Sequence, residues 1–215
     1  MIEAEKRRAA EAAAELVGDG VRVGLGTGST VAHLLPALAA RRLEIRCVAT
    51  SPRTERAARE LGLAVEPFAD LDRLEIAIDG ADQVAPDGWL VKGGGGAHTR
   101  EKIVAAAAER FVVIVDSTKP VERLVSPVPL ELHRFGLRAT LRELDTVELR
   151  DAERTPDGGL LADYTGQVGD PVLLAAQFAA VPGVVAHGLF APALVSEVLI
   201  GRGEEVERLT VQAAA

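Results

Sequence analysis

Cysteine is nearly missing from this 215-residue chain. Cys47 is the only one, so no internal disulfide can form. Its setting in EIRCVAT reads as a buried strand position, and a lone thiol suits a reducing cytosol. Aromatic residues make up 3%, too few for a surface on which nucleotide bases stack. The formal net charge of −8 leaves no basic stripe for nonspecific nucleic-acid binding. No apolar run approaches the roughly 20 residues that span a bilayer. The first residues, MIEAEKRRAAEAAAELVG, carry charges and no apolar leader core, so no secretion is expected. No set of His, Cys and carboxylates has metal-ligand spacing, so no metal is expected. No GxSxG elbow occurs, which leaves a serine hydrolase unsupported.

Lysine is scarce too. Only Lys6, Lys92, Lys102 and Lys119 occur, and arginine supplies the rest of the 24 basic residues. Lys92 and Lys119 each follow an expected strand, where a compact ammonium does what a planar guanidinium does not.

What the chain does have is alternation. Apolar, β-branched runs stand at VRVGLG, EIRCVATS, LAVEPF, LEIAIDGAD and FVVIVDS. Helix-like segments lie around them at Glu3–Val17, Ser29–Ala40, Arg53–Leu61 and Thr99–Arg110. This order predicts an α/β domain with a parallel sheet and helices on both faces. Ligands of such sheets bind at the carboxyl ends of the strands. After Pro120 the pattern changes. An edge-like strand flanked by Pro127 and Pro129 (PVPLEL), a helix over Leu137–Leu144, TVELR, a Pro156–Gly159 turn, LLADYT, a helix from Pro171 and VVAHGLF give a βαββαβ-like order. That order predicts a small α+β (ferredoxin-like) domain. SEVLIG and VERLTV read as strands returning to the first sheet. The expected domains are residues 1–126 plus 193–215, and residues 127–192.

Five motifs fall at strand ends. In GLGTGST, Gly24, Gly26 and Gly28 permit close backbone approach, and the following helix start favours an anion. Ser29 replaces the third glycine of a dinucleotide fingerprint, and the next strand ends in Thr50-Ser51 without an acid. Thr27, Ser29 and Thr30 suit a phosphate or a polyhydroxylated ligand; the plainer reading is a capped tight turn. In TSPRTERAARELG, Thr50, Ser51 and Thr54 read first as helix capping. IDGADQ puts Asp79 and Asp82 on a Gly80-Ala81 turn, either for local hydrogen bonding or to move protons between oxygens. VKGGGGAHTREK places Lys92 before Gly93, Gly94, Gly95 and Gly96. Lys92 can meet an oxyanion there. Thr99 is the expected N-cap, with Glu101 in the first turn either for the helix dipole or for chemistry; His98 is ambiguous. VDSTKP offers Ser117, Thr118 and Lys119 to an anion, or forms a turn before Pro120.

GTGST, DGAD, KGGGGAHTREK and DSTK, in this order and spacing, resemble ribose-5-phosphate isomerase of the A type, and the resemblance continues through PGVVAHGLF to VLIG. It implies a Rossmann-like catalytic domain, a small α+β domain used in oligomerisation, and interconversion of ribose 5-phosphate and ribulose 5-phosphate without metal or cofactor. It further implies a cytoplasmic homodimer or homotetramer in the pentose phosphate pathway, with no nucleic-acid or membrane partner. By matching positions, Thr27, Gly28, Ser29, Thr30, Asp79, Gly80, Ala81, Asp82, Lys92, Gly93, Gly94, Gly95 and Lys119 bind the sugar phosphate, with Lys6 as a further phosphate candidate. Glu101 is the matched base; Asp79, Asp82 and Lys92 complete the catalytic set. Departures fall at Gln83, Gly96, His98 and Gly159, and in a second domain shortened around Leu137–Val147. The rival expectations are a non-catalytic sugar-phosphate sensor, which needs no base, and an acyl-CoA transferase, which needs a nucleophilic glutamate in another strand context.

Overall fold

The computed structural model describes residues 1–211, so the last four residues of the expected 193–215 segment lie outside the described residues. The chain runs through α1 (Ile2–Ala14), β1 (Arg22–Leu25), α2 (Val31–Ala40), β2 (Arg46–Ala49), α3 (Pro52–Glu60), β3 (Ala64–Val65) and β4 (Ile76–Asp79). It continues through β5 (Gln83–Val84), β6 (Leu90–Val91), α4 (His98–Ala107), β7 (Phe111–Asp116), β8 (Val128–Leu132), α5 (Leu137–Glu143) and β9 (Val147–Leu149). The last described elements are β10 (Leu160–Tyr164), α6 (Pro171–Ala180), β11 (Val184–His187), β12 (Leu189–Phe190), β13 (Glu197–Arg202) and β14 (Glu205–Thr210).

Two compact units result. The first takes residues 1–81, 100–119 and the described chain from 192 to 211; the second takes 82–99 and 120–191. Residues 82–99 and 120–126 thus group with the second unit, where β5 and β6 find their strand partners and Val84 bridges Pro120.

The first unit is built on a seven-stranded sheet of order β14-β13-β7-β4-β1-β2-β3. Every neighbour pair is parallel except β13 with β14. β4 and β7 are buried at every position, as strands covered on both faces must be. Their uninterrupted apolar runs are that burial written into sequence. α1 lays Ala9, Ala10, Ala13 and Ala14 into the core, and these small side chains let it pack against β7 and β13. The connection order reverses at β1, whose neighbours are β2 on one side and β4 on the other. Such a switch point opens a crevice at the carboxyl ends of the two strands, and GLGTGST and DGAD follow those ends.

The second unit contains a four-stranded antiparallel sheet of order β11-β8-β10-β9, threaded by α5 and α6 in the expected βαββαβ order. Leu130, Leu132, Ala162, Leu174 and Phe178 form its core. The PVPLEL strand is not an edge: β8 pairs with both β10 and β11. Pro129 is tolerated because β11 pairing stops at Leu130↔His187. On that flank only its carbonyl is used, accepting Gly188 N–H at 2.7 Å, so the missing proline N–H costs no ladder bond. VVAHGLF is also two strands, not one. Gly188 divides β11 from β12, and a Cβ there would stand 2.2 Å from Lys92 O. β12 then pairs with β6, and β6 with β5, as a separate small sheet.

Candidate active site

In the first unit, the loop after β1 and the end of β4 are made for each other. Asp79, 2% exposed, accepts the N–H of Thr27 (3.0 Å) and of Gly80 (2.7 Å) on Oδ1. Gly26 is obligatory beneath it, since a Cβ there would lie 1.9 Å from the same oxygen. Thr27 Oγ1 meets Thr50 Oγ1 at 2.8 Å, and Thr54 Oγ1 donates to Gly26 O at 2.9 Å. Ser51 caps α3, its Oγ accepting Thr54 N–H at 3.2 Å. The capping expected of TSPRTE therefore holds for Ser51, while Thr50 and Thr54 fasten the glycine loop. Gly28 (φ 131°) and Ser29 are exposed at its tip, and Thr30 is buried at the start of α2. Ala81 is half-buried beyond Gly80.

Glu101 is buried in the first turn of α4, where the helix dipole favours a carboxylate. Beside it, burial pushes the half-buried Lys102 ammonium down to about 8. Lys119 is half-buried in the turn after β7, and the two residues before it are already engaged. Ser117 donates through both Oγ (2.6 Å) and N (3.1 Å) to Glu5 Oε2, while Thr118 donates to Asp116. Glu5 Oε1 also accepts Gly203 N–H at 2.9 Å. These donors, the Ser117 hydroxyl foremost, hold the Glu5 carboxyl below its ordinary range. Lys6 is ion-paired with Glu3 at 2.7 Å.

In the second unit, Asp82 is exposed and accepts Gly94 N–H on Oδ2 at 2.8 Å. The two aspartates of one turn therefore differ in kind: Asp79 is interior and fixed by backbone, Asp82 faces outward against the glycine turn. Lys92 is 2% exposed, with its ammonium 5.4 Å from the centroid of the Phe190 ring, a cation–π distance. Gly93 has φ 109°, and a Cβ on it would meet His98 Nδ1 at 2.7 Å and Pro129 Cβ at 2.8 Å. The buried His98 ring thus occupies the space a side chain at 93 would need. Gly94 and Gly95 are exposed, and Gly96 (φ 75°) closes the turn through its N–H to Gly93 O at 3.0 Å. α4 begins at His98, one residue before the expected cap, and Thr99 donates its hydroxyl to the buried Glu131. Thr155 Oγ1 donates to the other Glu131 oxygen at 2.7 Å. Gln83 is locked to Val125 by two 2.8 Å hydrogen bonds.

Asp79 with Thr27 and Gly80, and Asp82 with Gly94, are among the pairings these contacts make between expected residues. Glu5 and Arg150 were not foreseen. Arg150 donates to the carbonyls of Gly93 and Gly94, and no local pattern separates it from the other arginines. A groove of about 710 Å³ lined by His133, Phe135, Thr140 and Val181–Val185, among others, contains none of the expected residues.

A family model described as ribose 5-phosphate isomerase A (phosphoriboisomerase A) matches residues 46–205. A protein of Caulobacter sp. (strain K31) named ribose-5-phosphate isomerase A is 44% identical, covering 95% of this chain and 97% of its own. Among solved structures, ribose 5-phosphate isomerase A from Neisseria gonorrhoeae superposes with a TM-score of 0.94 at 32% identity, covering 99% of both chains. A D-ribose-5-phosphate isomerase in complex with phospho-erythronic acid superposes with a TM-score of 0.92 at 32% identity, covering 98% of this chain and 99% of its own.

Proposed function

Because the chain belongs to the ribose-5-phosphate isomerase A family, we propose that it interconverts D-ribose 5-phosphate and D-ribulose 5-phosphate through an enediolate, as a step of the non-oxidative pentose phosphate pathway. The observation that carries this reading is full-length kinship with isomerases in a chain that keeps Glu101 buried in the first turn of α4.

Aldose–ketose isomerisation moves one proton between C2 and C1 and another between the two oxygens. The Glu101 carboxylate takes the proton from C2 of the aldose, leaving the electron pair in the enediolate, and returns the proton to C1. Asp82, exposed at the turn, exchanges the hydroxyl protons, while Asp79 holds the Thr27 loop in shape. Lys92 and the Gly95 N–H of the glycine turn stabilise the enediolate oxygen, the term that is usually largest in such reactions. Thr27, Gly28, Ser29, Thr30 and Lys119 hold the phosphate, with Lys6 a weaker candidate because Glu3 already claims it. The engaged Ser117 and Thr118 hydroxyls are left out of this set.

The working form is proposed to be a homodimer in the cytoplasm, where a charged sugar phosphate is retained because it does not cross a bilayer unaided. Ketose formation from ribose 5-phosphate in the presence of a chelator tests the activity. Turnover is expected, with a loss of about 10²–10⁴-fold in kcat for Glu101→Gln. Absence of turnover in the unaltered protein, or full turnover by Glu101→Gln, would overturn the reading.

A further inference from the structure

Arg150 lies just beyond the end of β9 and belongs to none of the motifs that mark the site, yet its guanidinium reaches the glycine turn. Nη1 donates to the carbonyl oxygens of Gly93 at 2.9 Å and Gly94 at 3.3 Å. Asp163 of β10 holds the rest of the fork, with Nε to Oδ2 at 2.7 Å and Nη2 to Oδ1 at 2.6 Å. The two side chains are 19% and 23% exposed. Arg150 is tied a third time through its backbone N–H, which donates to Leu161 O at 2.9 Å. The Leu161 side chain in turn fills the space beside Gly96, its Cδ1 2.6 Å from where a Cβ would stand. Residues 161 and 163 alternate along β10 and so point to one face of it.

The consequence follows from peptide geometry. In a trans peptide the C=O and the next N–H point in opposite directions. Drawing the Gly93 carbonyl onto Arg150 turns the Gly94 N–H the other way, where it meets Asp82 Oδ2. Drawing the Gly94 carbonyl onto the same nitrogen turns the Gly95 N–H away from Arg150 as well. One cation thereby orients two consecutive peptides. Arginine suits the task because a planar fork bonds a carboxylate bidentately and still has an N–H for the carbonyls, whereas an ammonium is a single point.

We propose that Arg150, locked by Asp163, is a positioning residue that fixes the glycine turn, holding the Gly94 N–H on Asp82 and turning the Gly95 N–H toward the reacting sugar. The inference rests on the isomerase reading, which assigns the hydroxyl protons to Asp82 and the enediolate oxygen to the glycine turn.

Steady-state turnover of ribose 5-phosphate by Arg150→Ala, Arg150→Lys and Asp163→Asn, with melting curves for each, tests it. Arg150→Ala is expected to lose about 10²-fold in kcat, the cost of misplacing catalytic groups by about 1 Å. Its KM should stay within a few fold, and free guanidinium ion in the assay should restore part of kcat without changing the unaltered enzyme. Asp163→Asn should lose less, in the same direction. A merely structural role would lower the melting temperature, leave kcat per folded molecule intact and show no rescue, and that result overturns the proposal. Should Arg150→Ala fail to fold, Arg150→Lys decides: retention of more than about a third of kcat overturns it, and a loss on the scale of misplacement supports it. An inactive unaltered enzyme would instead overturn the isomerase reading itself.

Discussion

A missing methyl group shapes the first glycine loop. Gly26 N–H donates to Ile78 O at 2.9 Å, which brings β1 and β4 together just where Asp79 turns its carboxylate over the loop. Gly26→Ala would place a Cβ inside that carboxylate. The neighbours can give only by breaking the Thr27 and Gly80 hydrogen bonds. The expected outcome is a loss of about 1–3 kcal/mol in stability by urea denaturation, the cost of overpacking a filled site, together with reduced turnover. Unchanged values for both would contradict the account. At this scale legibility followed locality. The glycines, the two aspartates and Glu101 announced themselves because each sits in a short motif at a strand end. The scarcity of lysine pointed to Lys92 and Lys119, of which the structure buries Lys92 with its ammonium over the Phe190 ring. Arg150 and Asp163 did not announce themselves, because their partner lies 56–57 residues away from Arg150 in sequence.

Elements are tied at their ends as well as along their ladders. Arg22 opens β1, and Glu75 precedes β4. Glu75 accepts the Arg22 backbone N–H at 2.7 Å and the guanidinium at 2.6 Å. The Arg22 side chain foremost, and then its backbone N–H, hold the Glu75 carboxyl at about 2, below its ordinary 4.5. A depressed value means that the stabilisation is fully present above pH 4.5 and fades as the pH falls from there toward 2. Both side chains are about a third exposed, so water screens the pair and its worth is about 1 kcal/mol or less. Urea midpoints measured from pH 7 down to 2.5 should show Glu75→Gln less stable at neutral pH and converging with the unaltered protein in acid. A constant gap would count against the pairing. Element legibility tracked length and burial. β4 and β7 were plain from their unbroken apolar runs, whereas β3, β5, β6 and β12 have two residues each, too few for a period. The edge expected at PVPLEL failed because a proline's cost depends on which flank its missing N–H faces, and that is settled only by where β11 ends.

For the molecule as a whole, neither compact unit is one continuous stretch of chain. The core of the second unit includes Ala85 and Val91, with Trp89 packed against it, and these come from the 82–99 segment. A fragment of residues 120–191 would keep the four-stranded sheet's sequence but lose those apolar partners. It is expected to show no cooperative thermal transition by circular dichroism, and a sharp transition would contradict this. No described helix is long and apolar enough to cross a membrane.

The first unit closes on itself through its two extremes of sequence. α1, the first element, packs on β13 and β14, the last two described, and Glu5 accepts the N–H of Gly203. Gly201 stands so close that a Cβ on it would lie 2.1 Å from Glu5 O. Before β13 exists, therefore, α1 can be covered only by α2 and β7, and the part of it that faces β13 and β14 has no partner. The contacts that close this unit join residues almost two hundred positions apart, and contacts of such sequence separation form late in folding.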